Sequence, residues 1–247
     1  MPITADFAVQ SYCFRAIKDH AAVAEAVRRI GLSAIELCRA HDPFDDPAAF
    51  EKVVAIYRDA GVRVPSLGVE TLTGDAEAER RRFECARVAG CGHMSISFNP
   101  DTFSRAHTVA HELAEQFDMK LGIHNHGGRH WLGSTQMLAH VLAQTGPRIG
   151  LCLDTAWALD AGEDAVKMIE RFADRLTAIH LKDFLFEPTR QPRDVVVGTG
   201  ALDLPALVAM AKKIDFNGLT VLEYEGDVDD PIPALDHCVK AIRNDLG

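Results

Sequence analysis

The feature that most constrains this chain is a rhythm. Short apolar runs begin near Phe7, Ala34, Val62, His93, Lys120, Arg148, Leu176 and Gly218, and helix-patterned stretches fill the intervals between them. The runs are short, apolar and rich in β-branched residues, as strands are. Their usual spacing of about 28 residues holds one strand, one crossover helix and two short loops. Only the interval from Leu176 to Gly218 is much longer. Three helical stretches, Asp19 to Ile30, Pro47 to Ala60 and Ala76 to Ala89, stop at Gly31, Gly61 and Gly90, where a left-handed residue ends a helix at little cost.

Strict alternation of strand and helix predicts a parallel sheet, and eight such units in 247 residues predict an α/β protein, a single (β/α)8 barrel of the TIM type spanning 1–247 as one domain. An open doubly wound sheet is the alternative. It is disfavoured because no G-x-G-x-x-G opens the first helix and no G-x-x-x-x-G-K-[ST] occurs. The stretch from Phe184 to Asp203 carries Pro188, Pro192, Gly198 and Gly200, and reads as a long loop over the mouth that closes on glycine hinges.

Composition narrows the partners. With 26 Lys and Arg against 36 Asp and Glu, the net charge is −10, so a nucleic-acid backbone is repelled and no nucleic acid is expected. Cys13, Cys38, Cys85, Cys91, Cys152 and Cys238 form no C-x-x-C and suggest buried thiols in a reducing, cytoplasmic compartment. Neither a basic amino-terminal leader nor an apolar run of roughly 18 residues is present, so no membrane partner is expected. Self-association into a homo-oligomer stays open.

In such a barrel the active site lies at the carboxyl ends of the strands, so the polar residues that terminate each apolar run are the candidates. The second run gives Glu36 and the third Glu70. The fifth gives His124 and His126, and the sixth ends at Asp154. The seventh gives His180, Lys182 and Asp183, and the eighth Glu223 and Glu225. Four consecutive strands thus bring imidazole, carboxylate, imidazole and carboxylate to one rim. That mixed set suits one divalent ion, which would relieve carboxylates set beside an apolar core.

These residues resemble a known family, the xylose isomerase-like TIM barrel superfamily, which includes sugar isomerases and epimerases, inosose dehydratase and endonuclease IV. The resemblance covers essentially the whole chain. It rests on Ala-Ile-Glu36-Leu, His124-Asn-His126, Gly-Leu-Cys-Leu-Asp154-Thr, Ile-His180-Leu-Lys182-Asp183, Gly198-Thr-Gly200-Ala-Leu-Asp203 and Leu-Glu223-Tyr-Glu225. It implies metal ligands at Asp154, His180 and Glu223, with Mn²⁺ first among the candidates and Mg²⁺, Co²⁺, Zn²⁺ and Fe²⁺ behind it. Two departures stand out: the acidic residue usual on the fifth strand is His124, with His126 and His130 as alternatives, and the frequent Asp-x-x-His of the sixth reads Asp154-Thr-Ala-Trp157.

What the resemblance implies is an isomerase or epimerase acting on a small sugar or keto-sugar. It would abstract a proton next to the carbonyl and pass through a metal-stabilised enediolate, with Glu223, His124, His126 and Lys182 as catalytic residues. The alternative is a lyase of the same superfamily, either an inosose-type dehydratase or an enzyme that β-eliminates 3-keto-glycosides, because one base and one acid then suffice. Two other classes are an endonuclease IV-like repair enzyme, opposed by charge and ligand count, and a sugar-binding subunit without catalysis. Glu36, Glu70, Tyr12, Arg15 and Trp157 are the candidate substrate-binding residues. Lys182 is read either as an orienting cation or as the partner of Asp183 in a surface pair. Trp131 is read as a second stacking platform or rim packing, His107 and His111 as a solvated helix face, and Arg80, Arg81 and Arg82 as exposed pairing with nearby acids.

Overall fold

The computed structural model describes residues 7–127, 129–189 and 191–246; the first six residues, read above for a leader, lie outside them. In chain order the elements are β1 (Ala8–Gln10), α1 (His20–Arg29), β2 (Ala34–Leu37), α2 (Pro47–Asp59), β3 (Arg63–Leu72), α3 (Ala76–Ala89) and β4 (His93–Phe98). Next come α4 (Phe103–Phe117), β5 (Lys120–His124), α5 (Thr135–Leu142), β6 (Ile149–Asp154), α6 (Thr155–Asp160), α7 (Ala165–Arg171) and β7 (Leu176–Leu181). The rest is β8 (Asp183–Phe186), β9 (Pro192–Val195), α8 (Leu204–Lys213), β10 (Leu219–Leu222) and α9 (Ile232–Leu246).

Eight strands close into a parallel barrel in the order β1, β10, β7, β6, β5, β4, β3, β2, and helices follow them as the repeat requires. Each of the apolar runs became a barrel strand within a residue or so of its expected start. The helix punctuation also holds: Gly31, Gly61 and Gly90 follow α1, α2 and α3 with φ of 76°, 72° and 76°. Acidic residues just ahead of helices cap them. Asp19 accepts the Ala22 N–H at 2.8 Å and Asp203 the Ala206 N–H at 3.0 Å, a contact whose loss typically costs about 1 kcal/mol.

Leucine, isoleucine, valine and phenylalanine on the outward faces of the strands pack against the helices in one large core. A second small cluster, Ala8, Ala34 and Val221 with Leu219, lies on the inward face of the first, second and last barrel strands. Two residues farther along those strands stand Gln10, Glu36 and Glu223 on the same face. On these three strands the inward face is therefore apolar at the amino ends and polar toward the carboxyl-end rim, which is the gradient that positions a site.

The segment after β7 departs from expectation. Asp183 opens β8, which pairs antiparallel with β9 from Asp183↔Val195 to Phe186↔Pro192, so the supposed loop begins as a hairpin. The glycine-bearing stretch that follows is pinned: the Asp183 carboxylate accepts the N–H groups of Gly198, Gly200 and Leu202 at 3.0, 2.8 and 2.9 Å. A Cβ on Gly200 would lie 2.5 Å from the Phe184 carbonyl oxygen, so glycine serves close packing there and not a hinge. Proline at the first residue of an edge strand is compatible with pairing, which is why Pro192 misled a reading by punctuation.

Candidate metal centre and active site

Asp154 shows how local structure aims a ligand. It ends β6 and caps α6: one carboxylate oxygen accepts the Trp157 N–H at 2.8 Å. The other oxygen is buried with no hydrogen-bond partner, 3.5 Å from His124 Nε2. Asn125 fixes the backbone beneath, giving its amide to the Asp154 carbonyl at 3.0 Å and accepting the Asp154 N–H at 2.8 Å. The ends of β5 and β6 are thereby clamped in register.

Ligand atoms of His124, Asp154, His180 and Glu223 lie within 4.8 Å of one another, and all four residues are buried. His180 Nδ1 is 2.7 Å from Glu223 Oε2, and His124 Nε2 is 3.9 Å from the same oxygen. Neither ring nitrogen of His124 has a hydrogen-bond partner. Buried polar atoms are ordinarily paired, so the unpartnered His124 Nε2 and Asp154 Oδ2, facing each other beside Glu223 and His180 Nδ1, fit a divalent cation. Among the described residues, no other such group of His, Cys, Asp and Glu comes together.

Supporting charges surround the cluster. Glu36 is fully buried and takes hydrogen bonds from Ser66 at 2.5 Å, Gln10 at 2.7 Å and Ser95 at 2.8 Å, with His180 Nε2 3.0 Å away. Burial pushes its carboxyl up, but His180, with Ser66 and His93 behind it, outweighs that and brings it down to about 2. Lys182 is likewise buried, bonded to Glu225, with Glu223 and Asp194 each 3.9 Å from Nζ. Burial works against its charge, yet Glu223, Asp154, Glu225 and Asp194 hold the ammonium well above its ordinary range. Trp157 and Phe184 flank it, with ring centroids 5.2 and 5.5 Å from Nζ.

Over this floor opens a cavity of 360 Å³ lined by Gln10, Tyr12, Cys38, Arg39, Ala40, Gly68, Val69, His124, His126, Trp157, Glu223 and Glu225. His126 stands in its wall, ring centroid 4.8 Å from that of His124, outside the four-residue cluster. His130 is one ring farther out, 5.1 Å from His126, and its Nδ1 accepts the Leu132 N–H at 3.2 Å. Burial lowers His126 to about 4, leaving a neutral imidazole at neutral pH.

Several expectations need correcting. Glu36 and Glu70 do not line the cavity: Glu36 is engaged beneath the cluster, and Glu70 meets Arg39 Nη1 at 3.1 Å and Arg82 Nε at 3.2 Å. Glu36 is engaged on both oxygens, whereas Glu70 is held through Oε2 alone and its buried Oε1 has no hydrogen-bond partner. Arg15 is also occupied, donating to the Glu225 carbonyl at 2.6 Å and the Tyr12 carbonyl at 3.1 Å. Lys182 and Asp183 are buried and turn to different partners, so they form no surface pair. Trp131 donates to the Phe98 carbonyl at 2.8 Å and packs on Phe103, away from the cavity. His107 and His111 are half-buried, His107 against Phe103 at 4.9 Å. Of the arginine triplet, Arg81 meets Glu77 at 2.8 Å while Arg82 serves Glu70. Gln10 and Arg39 were missed, although the alternation that selects Glu36 also places Gln10 inward from Ala8.

Comparison with known proteins was made against this geometry. A family model described as xylose isomerase-like TIM barrel matches residues 24–244. Among curated proteins, the inosose dehydratase of Geobacillus kaustophilus is 30% identical over 146 residues, which are 53% of this chain and 45% of that protein, so this chain matches less than half of that relative's length. The 3-oxo-isoapionate decarboxylase of Pectobacterium atrosepticum is 29% identical over 219 residues, covering 83% of this chain and 77% of that one. Among solved structures, a xylose isomerase-like TIM barrel protein from Mycobacterium smegmatis, in complex with magnesium, superposes with a TM-score of 0.79 at 13% identity, over 98% of this chain and 96% of that chain. Among the described residues no helix is long and apolar enough to cross a membrane.

Proposed function

The chain belongs to the xylose isomerase-like TIM barrel family, and from that premise we propose that it is a metal-dependent enzyme that removes the proton next to the carbonyl of a small keto-sugar or cyclitol ketone. The observation that carries this reading is the convergence of His124, Asp154, His180 and Glu223, of which His124 and Glu223 line a 360 Å³ cavity. A divalent ion held by these four would polarise the carbonyl and stabilise the charge that builds on its oxygen. His126, in the wall and unpartnered at Nδ1, is placed to take or return the carbon-bound proton. Lys182, fixed by Glu225, supplies a charge beside the reacting oxygens, and Trp157 walls the site from water. The working unit in this reading is one domain, 1–247, acting in the cytoplasm on a small molecule; six free, buried cysteines suit that compartment.

The direct test is metal analysis of the purified parent and of Asp154→Asn, which keeps the oxygen that caps α6 but removes the ligand charge. The parent should carry one divalent ion per chain, and the variant should lose it on dialysis against a mild chelator. Stoichiometric metal in the variant would show that this ligand set is wrong.

For the outcome of proton removal we favour elimination. His124 stands where an acidic residue of the fifth strand would serve as a second base, and one of the relatives named above is a dehydratase. The second reading, isomerisation or epimerisation, is supported by the cavity having proton-transfer groups from two strands, His126 and Glu225. Incubation of keto-sugars in D₂O separates them: loss of water marks elimination, and deuterium in an otherwise intact sugar marks the second.

A further inference from the structure

Among the described residues that line the cavity, Arg39 is the sole lysine or arginine, and its side chain is only partly covered by its pairing with Glu70. Its Nη1 meets Glu70 Oε2 at 3.1 Å, while Arg82 Nε meets the same oxygen at 3.2 Å. Both guanidiniums hold that buried carboxylate, Arg39 with a hydrogen bond and Arg82 from the more sheltered position: its side chain is 20% exposed against 45% for Arg39. Arg82 is further tied to the Thr71 carbonyl at 2.9 Å. Two cations thus meet one carboxylate oxygen, and the half-buried Asp42 is a further acid within electrostatic reach of Arg39. A guanidinium carries five N–H donors in a rigid fork, and the hydrogen bond to Glu70 uses one of them. The acids across the cavity do not take up the others. Glu225 is bound to Lys182, and Glu223 faces His180, His124 and Lys182.

We propose that Arg39 is a specificity residue that binds a carboxylate or phosphate of the substrate, so that the keto-sugar turned over by this site is an anionic one. This rests on the proposed function and adds the substrate's charge. Glu70 acts as the anchor: it fixes the fork at the cavity wall before the ligand arrives, which is what a bidentate anion contact needs. The anion would sit at the β2 side of the mouth, with the ketone over the four-residue cluster, so one substrate is held at two points.

The test compares three probes, glucose, glucuronate and glucose 6-phosphate, by calorimetric titration of the full chain loaded with Mn²⁺ and again without metal. In the parent, at least one acid should bind at least tenfold tighter than glucose, and which acid does so tells carboxylate from phosphate. Arg39→Gln should erase that ratio, and Arg39→Lys, with charge but no fork, should keep only part of it. Equal affinities in the parent, no measurable binding of any probe, or a preference that survives in Arg39→Gln would each overturn the proposal; the last would assign the anion to the metal. If the chain takes up no metal, the proposed function fails, while the metal-free titrations still decide the role of Arg39.

Discussion

Acid should destabilise this barrel through one buried histidine. His93 opens β4 and lies inside the barrel, with Ser66 Oγ 3.1 Å from Nδ1 and Thr177 Oγ1 3.1 Å from Nε2. Burial is the main cause that brings its pKa down to about 4, against the pull of Glu36. In the unfolded chain the ring returns to roughly 6.5. Between those values the unfolded state binds a proton that the folded state refuses, so stability rises with pH across the window and is lost as pH falls through it. At about 1.4 kcal/mol per unit, acidification from neutrality to pH 4.5 should remove about 2–3 kcal/mol through this residue. The assay is urea unfolding at a series of pH values in the presence of chelator, for the parent and for His93→Gln, which still bonds hydroxyls but cannot titrate. His126, His20 and His41 are also lowered by burial and titrate in both proteins, so the difference between the two isolates His93. That difference should shrink by the stated amount toward low pH. Parallel losses in parent and variant would refute the reasoning.

Two further outcomes follow from the same packing. Glu36→Gln leaves the donors of Ser66, Gln10 and Ser95 facing a neutral amide and removes the charge 3.0 Å from His180 Nε2; metal affinity, read by competition with a chromophoric chelator, should fall about 10- to 100-fold. Asp183→Ala removes the acceptor of three backbone N–H groups and should cost about 3 kcal/mol or more, with limited proteolysis shifted into the segment between β9 and α8 as the visible consequence.

The barrel was legible because its strands are buried on both faces, which writes each as an unbroken apolar run, and because aspartates and glycines mark where helices start and stop. The rim residues were legible for a related reason: Asp154, His180 and Glu223 are charged groups that end apolar runs, and a charge there needs a partner. Which partner is not written locally. Glu36 and Glu70 look alike in sequence, yet Glu36 is met by residues 26, 30 and 59 positions away and Glu70 by guanidiniums at 39 and 82. Only closure of the barrel brings them together. Arg39 follows β2 in Cys-Arg-Ala-His, where an arginine usually means solvent. The hairpin of β8 and β9 stayed hidden because its strands are four residues each and proline and glycine dominate the segment.

The substitution on the fifth strand has a chemical consequence that joins these observations. With His124 in the cluster, the four groups are two imidazoles and two carboxylates, so the ligand charge of −2 matches a divalent ion without excess. A third carboxylate would favour harder ions such as Mg²⁺ or Mn²⁺; a second imidazole shifts preference toward Zn²⁺, Co²⁺ and Fe²⁺. The neighbouring charges are arranged consistently with that balance. Lys182 is enclosed by Glu225, Glu223 and Asp194, so its ammonium is balanced locally and does not repel the cation from the cluster. Arg39 is anchored separately on Glu70, on the β2 side of the cavity. In the reading proposed above, Arg39 stands apart from the four clustered residues, where an anionic end of a substrate would meet it while the carbonyl lay over His124, Asp154, His180 and Glu223.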